Sequence, residues 1–455
     1  MLQSILTFFR TGADRPRIPG GPSIIDRLYA RKRLSVFLSV TLGYALFYTT
    51  LINFSVVKKP LLDAGILNAT QMGLVGSALL FVYSFGKLIN GFLADRCNIA
   101  RFMSTALLLS ALVNIALGFN TLFVVFLVLW AWNGWFQSIG SAPSVVALSH
   151  WFGRKERGTR YGIWSASHSI GEGITFAGTA ALVGAWGWRW GFLGPGLVCL
   201  VAALVLYHTI PDRPQTFGLP SISEYKGEPE PEVAESIGKY QMQVIRHPGV
   251  WMLAAANAFL SVARYGMSNW GPLYLSLAKD YSGPAAGALL AIYPIAEIAG
   301  SVSSGYVSDK LFGAKRNAPA LIYGLLEIGS LLALYLIPPG HRWLDAAALV
   351  VFGFALGGLL VYLGGLMAID LVSRKAAGAA MGLVGLLTYI AAAVQDTLSG
   401  YLIDASKRVV DGVTTYSFEL VFAVWIGALV LSTLFAASLW IFSHLGESKA
   451  EGEAA

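Results

Sequence analysis

Twelve stretches of this chain are apolar enough and long enough to cross a lipid bilayer, and a water-soluble fold has no place for so many. A hydrocarbon layer about 30 Å thick takes roughly 20 residues of helix. Such stretches begin near Val36, Gln71, Met103, Thr121, Gly158, Arg189, Trp251, Ala285, Ala318, Ala346, Ala377 and Ser417. Composition agrees: 13% of the residues are charged, against about 25% in soluble proteins. The reading is an all-α integral membrane protein with twelve transmembrane helices. The first 30 residues carry Arg10, Arg15, Arg17 and Arg27 but no apolar core with a cleavage site, so they read as a retained tail. Two cysteines, Cys97 and Cys199, make neither a disulfide framework nor a metal cluster.

Charge is distributed by side. Of the 32 Lys and Arg, 23 fall in the tails and loops on the side of the termini. Seven (Lys58, Lys59, Arg189, Lys279, Arg342, Lys407 and Arg408) are assigned to the opposite face. Because cytoplasmic loops are the basic ones, both termini are predicted to be cytoplasmic, and the net charge of +7 calls for no nucleic acid. The two remaining cations, Lys87 and Arg264, fall inside predicted helices, where charge is costly and functional.

The chain also repeats itself. Gly91-Phe-Leu-Ala-Asp95-Arg96 with Arg101 follows the second helix; Gly305-Tyr-Val-Ser-Asp309-Lys310 follows the eighth, 214 residues later. Two pseudo-symmetric six-helix bundles follow, at 34–210 and 250–444. They are flanked by a tail at 1–33, a cytoplasmic linker at 211–249 and a tail at 445–455. The linker carries Lys-Gly-Glu-Pro-Glu-Pro-Glu at 226–232 and reads as a solvated tether. Asp95, Arg96, Arg101, Asp309 and Lys310 read as a conformational latch, in which an Asp pairs with basic groups beside a closely packed glycine.

These paired segments resemble the duplicated loop motif of the major facilitator superfamily, and further matches are similar to its organophosphate:phosphate antiporter branch. They are Gly43-Tyr44-Ala45 with Tyr48 and Asn53-Phe54, then Gly86-Lys87, Asn133-Gly134-Trp135-Phe136-Gln137, Trp151-Phe152 and Glu156-Arg157-Gly158-Thr159. Trp164 with His168, Pro214-Gln215, Gly218-Leu219-Pro220, Arg264-Tyr265-Gly266 with Trp270, and Ala376-Ala377-Gly378-Ala379 continue the series over nearly the whole chain. The branch includes glycerol-3-phosphate and hexose phosphate transporters and a sugar-phosphate sensor. The resemblance implies two bundles rocking about a midplane site, a bacterial inner membrane, a monomer, and no cofactor.

It also implies site residues. Arg264 matches an arginine that binds the substrate phosphate, and a guanidinium fork suits phosphate or carboxylate. His168 matches a histidine near the substrate, and Tyr44, Tyr48 and Tyr265 align with family positions. Lys87 is a second cation, either lining the cavity or reaching toward headgroups. Trp270, Tyr362 and Tyr389 are further aromatic candidates. The glycines at 353, 357 and 358, and at 378, 382 and 385, are expected to permit close helix packing.

Departures alter the charge. Leu51 stands where the family pattern has a second arginine, and Ser141-Ala142-Pro143-Ser144 stands near where it has another. Glu172, Glu297 and Asp396 are intramembrane carboxylates; Glu297 resembles a family glutamate and the other two look like additions. Two readings follow. Lys87 and His168 make up the missing charge and the cargo is an organophosphate exchanged for inorganic phosphate. Alternatively the cargo is a less anionic carboxylate or zwitterion, and Glu172, Glu297 or Asp396 couples transport to protons. A transporter-like sensor of sugar phosphate shares the same residues. No catalytic set, phosphate-cradling glycine loop or metal cluster occurs at mechanistic spacing, so an enzyme is not expected.

Overall fold

The computed structural model describes residues 7–19, 22–94, 96–228, 242, 244–312, 316–367, 371, 377–410 and 412–453. Twelve long helical segments cross it. In the first half they are α1 (Pro22–Thr49, continued by Asn53–Asp63), α2 (Ala69–Ala94), α3 (Ile99–Gly118), α4 (Phe123–Gln137, continued by Ser141–Trp151), α5 (Arg154–Ser165 through Ala180–Trp186) and α6 (Trp190–Thr209). The second half holds α7 (Pro248–Ala278), α8 (Gly283–Leu290 through Ile292–Tyr306), α9 (Asn317–Leu336), α10 (Arg342–Val361), α11 (Ala377–Ala405) and α12 (Glu419–Glu453). Ten of these segments are long and apolar enough to cross a membrane on those grounds alone. α5, whose first turns carry Arg154, Lys155, Glu156 and Arg157, and α7, which carries Arg264, complete the twelve.

Boundaries moved at both ends. α1 begins at Pro22 rather than in the mid-thirties, and α12 runs helically through Glu453 rather than ending at 444. The break in α1 at 50–52 is held by a buried polar knot: Asn133 Nδ2 donates to the Thr50 carbonyl at 2.8 Å, Gln137 Nε2 to Thr50 Oγ1 at 2.9 Å, and Asn53 Nδ2 to Asn114 Oδ1 at 2.8 Å. The Asn133-to-Gln137 motif therefore satisfies backbone groups that the break would leave bare in lipid. A short hairpin, β1 (Arg408–Val410) with β2 (Val413–Thr415), joins α11 to α12 and was not foreseen.

The linker is a correction too. Its first part docks on the first bundle. Trp151 Nε1 donates to the Asp212 carbonyl at 2.6 Å, Tyr29 donates to the Pro220 carbonyl, and the Tyr29 and Tyr225 rings stack 4.0 Å apart. The N-terminal tail straps over it: Gly12 N donates to Asp212 Oδ2 at 3.0 Å and Ile18 N to the Gly218 carbonyl at 3.1 Å. Aromatic burial, invisible in a count of polar residues, overrides the solvated composition. From residue 229 the Glu-Pro-Glu run lies outside the described residues.

The latch expectation fares differently. Asp95 lies outside the described residues, as does the Asp309 side chain. Arg96 and Lys310 are exposed, and Arg101 donates to the Phe8 carbonyl at 2.7 Å, tying down the tail. Nearby, Arg33 pairs with Glu156 at the start of α5. Burial acts to raise the Glu156 carboxyl, but the hydrogen bond and charge of Arg33 outweigh it and hold it below the ordinary 4.5. A depressed carboxyl contributes stability above its unfolded pKa and loses it as pH falls through the folded one. Wild type is therefore expected to exceed Glu156→Gln in thermal stability at pH 7, by up to about 1 kcal/mol for a partly exposed pair. The gap should close as pH drops below 4.5 toward the folded value.

Small residues set the spacing of the helices. A Cβ on Gly353 or Gly357 of α10 would overlap the carbonyl of Tyr293 or Glu297 of α8, and one on Gly358 would overlap the Tyr323 ring. Gly382 and Gly385 have no atom within 4 Å of that position, so the packing role expected for them is absent. Gly357→Val is expected to cost about 1–3 kcal/mol or more in detergent unfolding, as overpacking does, whereas Gly382→Ala stays within about 0.5 kcal/mol.

The halves meet along α2 with α11 and α5 with α8. Ser77 Oγ donates to the Ala393 carbonyl at 2.6 Å and Thr70 Oγ1 to Asp404 Oδ2 at 2.9 Å. Both bonds lie toward the end opposite the termini. Toward the terminal end Gly158, Gly162, Gly382 and Gly385 face open space, and Lys87 is exposed.

Candidate functional site between the two bundles

Helical spacing brings the ionisable residues to one seam. On α5, His168 and Glu172 are four apart and share a face. On α7, Arg264 and Ser268 do the same. His168 Nε2 lies 3.1 Å from Glu297 Oε1, crossing from the first bundle to the second. Its Nδ1 lies 2.5 Å from the Ser165 carbonyl, which can only accept, so Nδ1 carries a hydrogen. Ser169 Oγ lies 3.2 Å from the same Nε2.

Arg264 is 15% exposed, and its Nη2 stands 3.9 Å from Glu297 Oε1, an ion-pair distance too long for a hydrogen bond. Its guanidinium lies 5.5 Å from the centre of the Tyr265 ring. Among the described residues Arg264 makes no hydrogen bond, so a planar fork of donors stands free beside the seam. Around it runs a belt of aromatics. Trp164 and Tyr44 are 4.8 Å apart, Tyr44 and Tyr48 5.5 Å, and Tyr48 and His168 5.6 Å. On the other side Tyr265 and Tyr389 are 5.9 Å apart and Tyr389 and Tyr83 4.6 Å. Lys87 sits 5.0 Å over Tyr389, at the exposed side of the belt. The structure thus brings Arg264, His168, Tyr44, Tyr48, Tyr265 and Lys87 into one chain of contacts between the bundles.

The three carboxylates are all buried, and each bridges the bundles. Glu172 accepts from Ser268 Oγ at 2.5 Å and from the Tyr293 hydroxyl. Glu297 takes His168, and Asp396 takes Lys58 at 3.6 Å together with Trp270 Nε1 at 2.5 Å. Tyr362, by contrast, is fully buried and donates to the Ser304 carbonyl within its own bundle.

Residues 36–395 match the sequence profile described as Major Facilitator Superfamily. The chain belongs to the major facilitator superfamily. It is 32% identical over 440 residues to the glycerol-3-phosphate transporter of Bacillus subtilis (strain 168), covering 92% of this chain and 94% of that one. Against the membrane sensor protein UhpC of Salmonella typhimurium (strain LT2), identity is 31% over 411 residues, covering 87% and 90%. Among solved structures it is similar to a bacterial homolog of the human lysosomal transporter Spinster, in an inward-facing and occupied conformation, with a TM-score of 0.72 at 17% identity, covering 91% and 97%. That likeness is one of fold. Within the superfamily the chain lies in the organophosphate:phosphate antiporter branch, a group of transporters and sensors and not of enzymes.

For this superfamily member, some buried charges escaped the sequence. Lys58 was assigned to the loop opposite the termini, on the basis of side-counting. It is 1% exposed and lies in the continuation of α1, lining a pocket with Tyr48, Leu51, Tyr83, Tyr265, Tyr389 and Asp396. Lys279, counted with it, is also buried, 3.1 Å from Asp345. The signal for Lys58 was Asp396 itself: a carboxylate at membrane depth needs a cation. Glu327 of α9 was missed as well; it is fully buried, and among the described residues neither carboxylate oxygen has a hydrogen-bond partner.

Proposed function

We propose that the protein is a secondary transporter that carries a small organophosphate, in exchange for inorganic phosphate, across a bacterial inner membrane by alternating access, acting as a monomer. The observation that carries this reading is the Arg264 guanidinium, partly exposed between the bundles, with no hydrogen bond among the described residues and its nearest carboxylate, Glu297, at 3.9 Å. Such a fork recognises a phosphate bidentately. The aromatic belt supplies the apolar walls, and His168, Tyr44, Tyr48, Tyr265 and Lys87 supply donors or charge for the rest of the solute. The relative in Bacillus subtilis that is named a glycerol-3-phosphate transporter gives the substrate class its first candidate.

Glu172, Glu297 and Asp396, expected as proton-coupling groups, are assigned to the seam, since each has a partner in the other bundle. Opening the closed end requires all three bonds to part, and binding of an anion at Arg264 changes the charge that Glu297 must balance. The excess of Lys and Arg on the side of the termini supports a cytoplasmic position for both.

Purified protein in proteoliposomes loaded with phosphate is expected to accumulate labelled sn-glycerol 3-phosphate. The similarity to a membrane sensor supports a second reading, a receptor of sugar phosphate. Binding without uptake would establish that reading and overturn transport.

A further inference from the structure

The ammonium of Lys58 is among the most costly groups in the molecule. It is 1% exposed, and among the described residues the ammonium has no hydrogen-bond partner within 3.5 Å. Two weaker contacts offset the burial: Asp396 Oδ1 at 3.6 Å and the face of the Trp270 ring at 3.5 Å. Asp396 is held on one side, its Oδ1 by Trp270 Nε1 at 2.5 Å with Asn269 beside the carboxylate, while among the described residues its Oδ2 accepts no hydrogen bond. A buried pair that served stability alone would be expected to close into hydrogen bonds, because desolvation is otherwise uncompensated. This pair stands at 3.6 Å, just beyond hydrogen-bond distance. It also lines a pocket with Leu51 and with Tyr48, Tyr83, Tyr265 and Tyr389, aromatics of the belt around Arg264.

We infer that Lys58 is a second anion-binding cation of the transport site, and that Asp396 is its placeholder in the empty carrier. The space open to the centres of water molecules in the pocket is about 20 Å3, enough for water to sit beside the pair. An anion reaches Lys58 only as Lys58 and Asp396 part. The bond that parts joins α1 of one bundle to α11 of the other, at the closed end, where Gly76 lies so near Asp396 that a Cβ there would overlap the carboxylate. Occupancy of the site thereby loosens the seam. Two cations from different bundles, Lys58 and Arg264, then clasp one phosphate, and specificity shifts toward dianions. The inference rests on the organophosphate reading above.

The test is direct binding of inorganic phosphate and of sn-glycerol 3-phosphate to detergent-purified protein. Lys58→Gln is expected to weaken both about 10- to 100-fold, the range for a lost hydrogen bond to a charged group. Because that variant strands Asp396 in the seam and risks misfolding, Lys58→Gln/Asp396→Asn is measured beside it. The double variant restores neutrality and is expected to fold as wild type does, yet to bind as weakly as Lys58→Gln. Leu51→Arg placed in the double variant returns a cation to the same pocket and is expected to recover at least tenfold in affinity. Wild-type affinity in the double variant would overturn the inference and leave Lys58 a structural partner of Asp396. If Arg264→Ala in the same assay abolishes binding, the organophosphate reading survives that failure. If Arg264→Ala also binds as wild type, the broader reading falls with it.

Discussion

Arg264→Ala is expected to lower the kcat/KM for glycerol 3-phosphate uptake by about 100- to 1,000-fold, with the variant still folded. The magnitude comes from two charge-assisted hydrogen bonds to one phosphate, each worth about 1.5–3 kcal/mol, minus the relief of a guanidinium no longer buried. Folding should survive because Arg264 makes no hydrogen bond among the described residues, and Glu297 keeps His168 at 3.1 Å. Arg264→Lys retains the charge but not the fork, so it should recover part of the loss and less of the selectivity for phosphate over carboxylate. Transport kinetics and a melting curve on the same preparation separate site from scaffold. Uptake unchanged in Arg264→Ala would take the residue out of the site.

The second large effect belongs to Glu297. Its Oε1 lies 3.9 Å from Arg264 and 3.1 Å from His168, so one carboxylate competes with substrate for the cation and also holds the bundles together. At about 4 Å and an effective dielectric near 20, such a pair interacts by roughly 4 kcal/mol. Removing the negative charge frees Arg264 for the anion and weakens the cross-bundle bond. Glu297→Gln is therefore expected to bind phosphate about tenfold more tightly and to turn over at least tenfold more slowly, because release requires a competitor for the guanidinium. Both constants come from initial-rate uptake in proteoliposomes. A variant with raised KM and unchanged turnover would show that Glu297 touches the substrate rather than displacing it.

The bilayer made the twelve-helix plan legible, since lipid forces each span to be long, apolar and internally hydrogen-bonded. Arg264, His168 and Glu297 were visible because an ionisable residue in such a span is conspicuous. Depth was not. Lys58 looks like a loop cation because α1 breaks at 50–52 and resumes as a helix to Asp63, which carries the lysine under the protein rather than out of it. Linear spacing could not show that Asp396, 338 residues away, receives it. The docked linker escaped for a related reason: Tyr29, Trp151 and Tyr225 are far apart in sequence, and only the fold brings their rings into contact. Gly353 and Gly382 sit in similar small-residue patterns, yet one abuts a carbonyl and the other faces open space, a difference set by the neighbouring helix.

Counterflow of labelled inorganic phosphate bears most directly on the central claim. Proteoliposomes loaded with unlabelled phosphate or glycerol 3-phosphate are expected to take up external labelled phosphate transiently, far above proteoliposomes loaded with phosphate-free buffer, with no dependence on a pH gradient. Uptake that ignores the internal anion and instead follows an imposed proton gradient would contradict exchange around a two-bundle anion site.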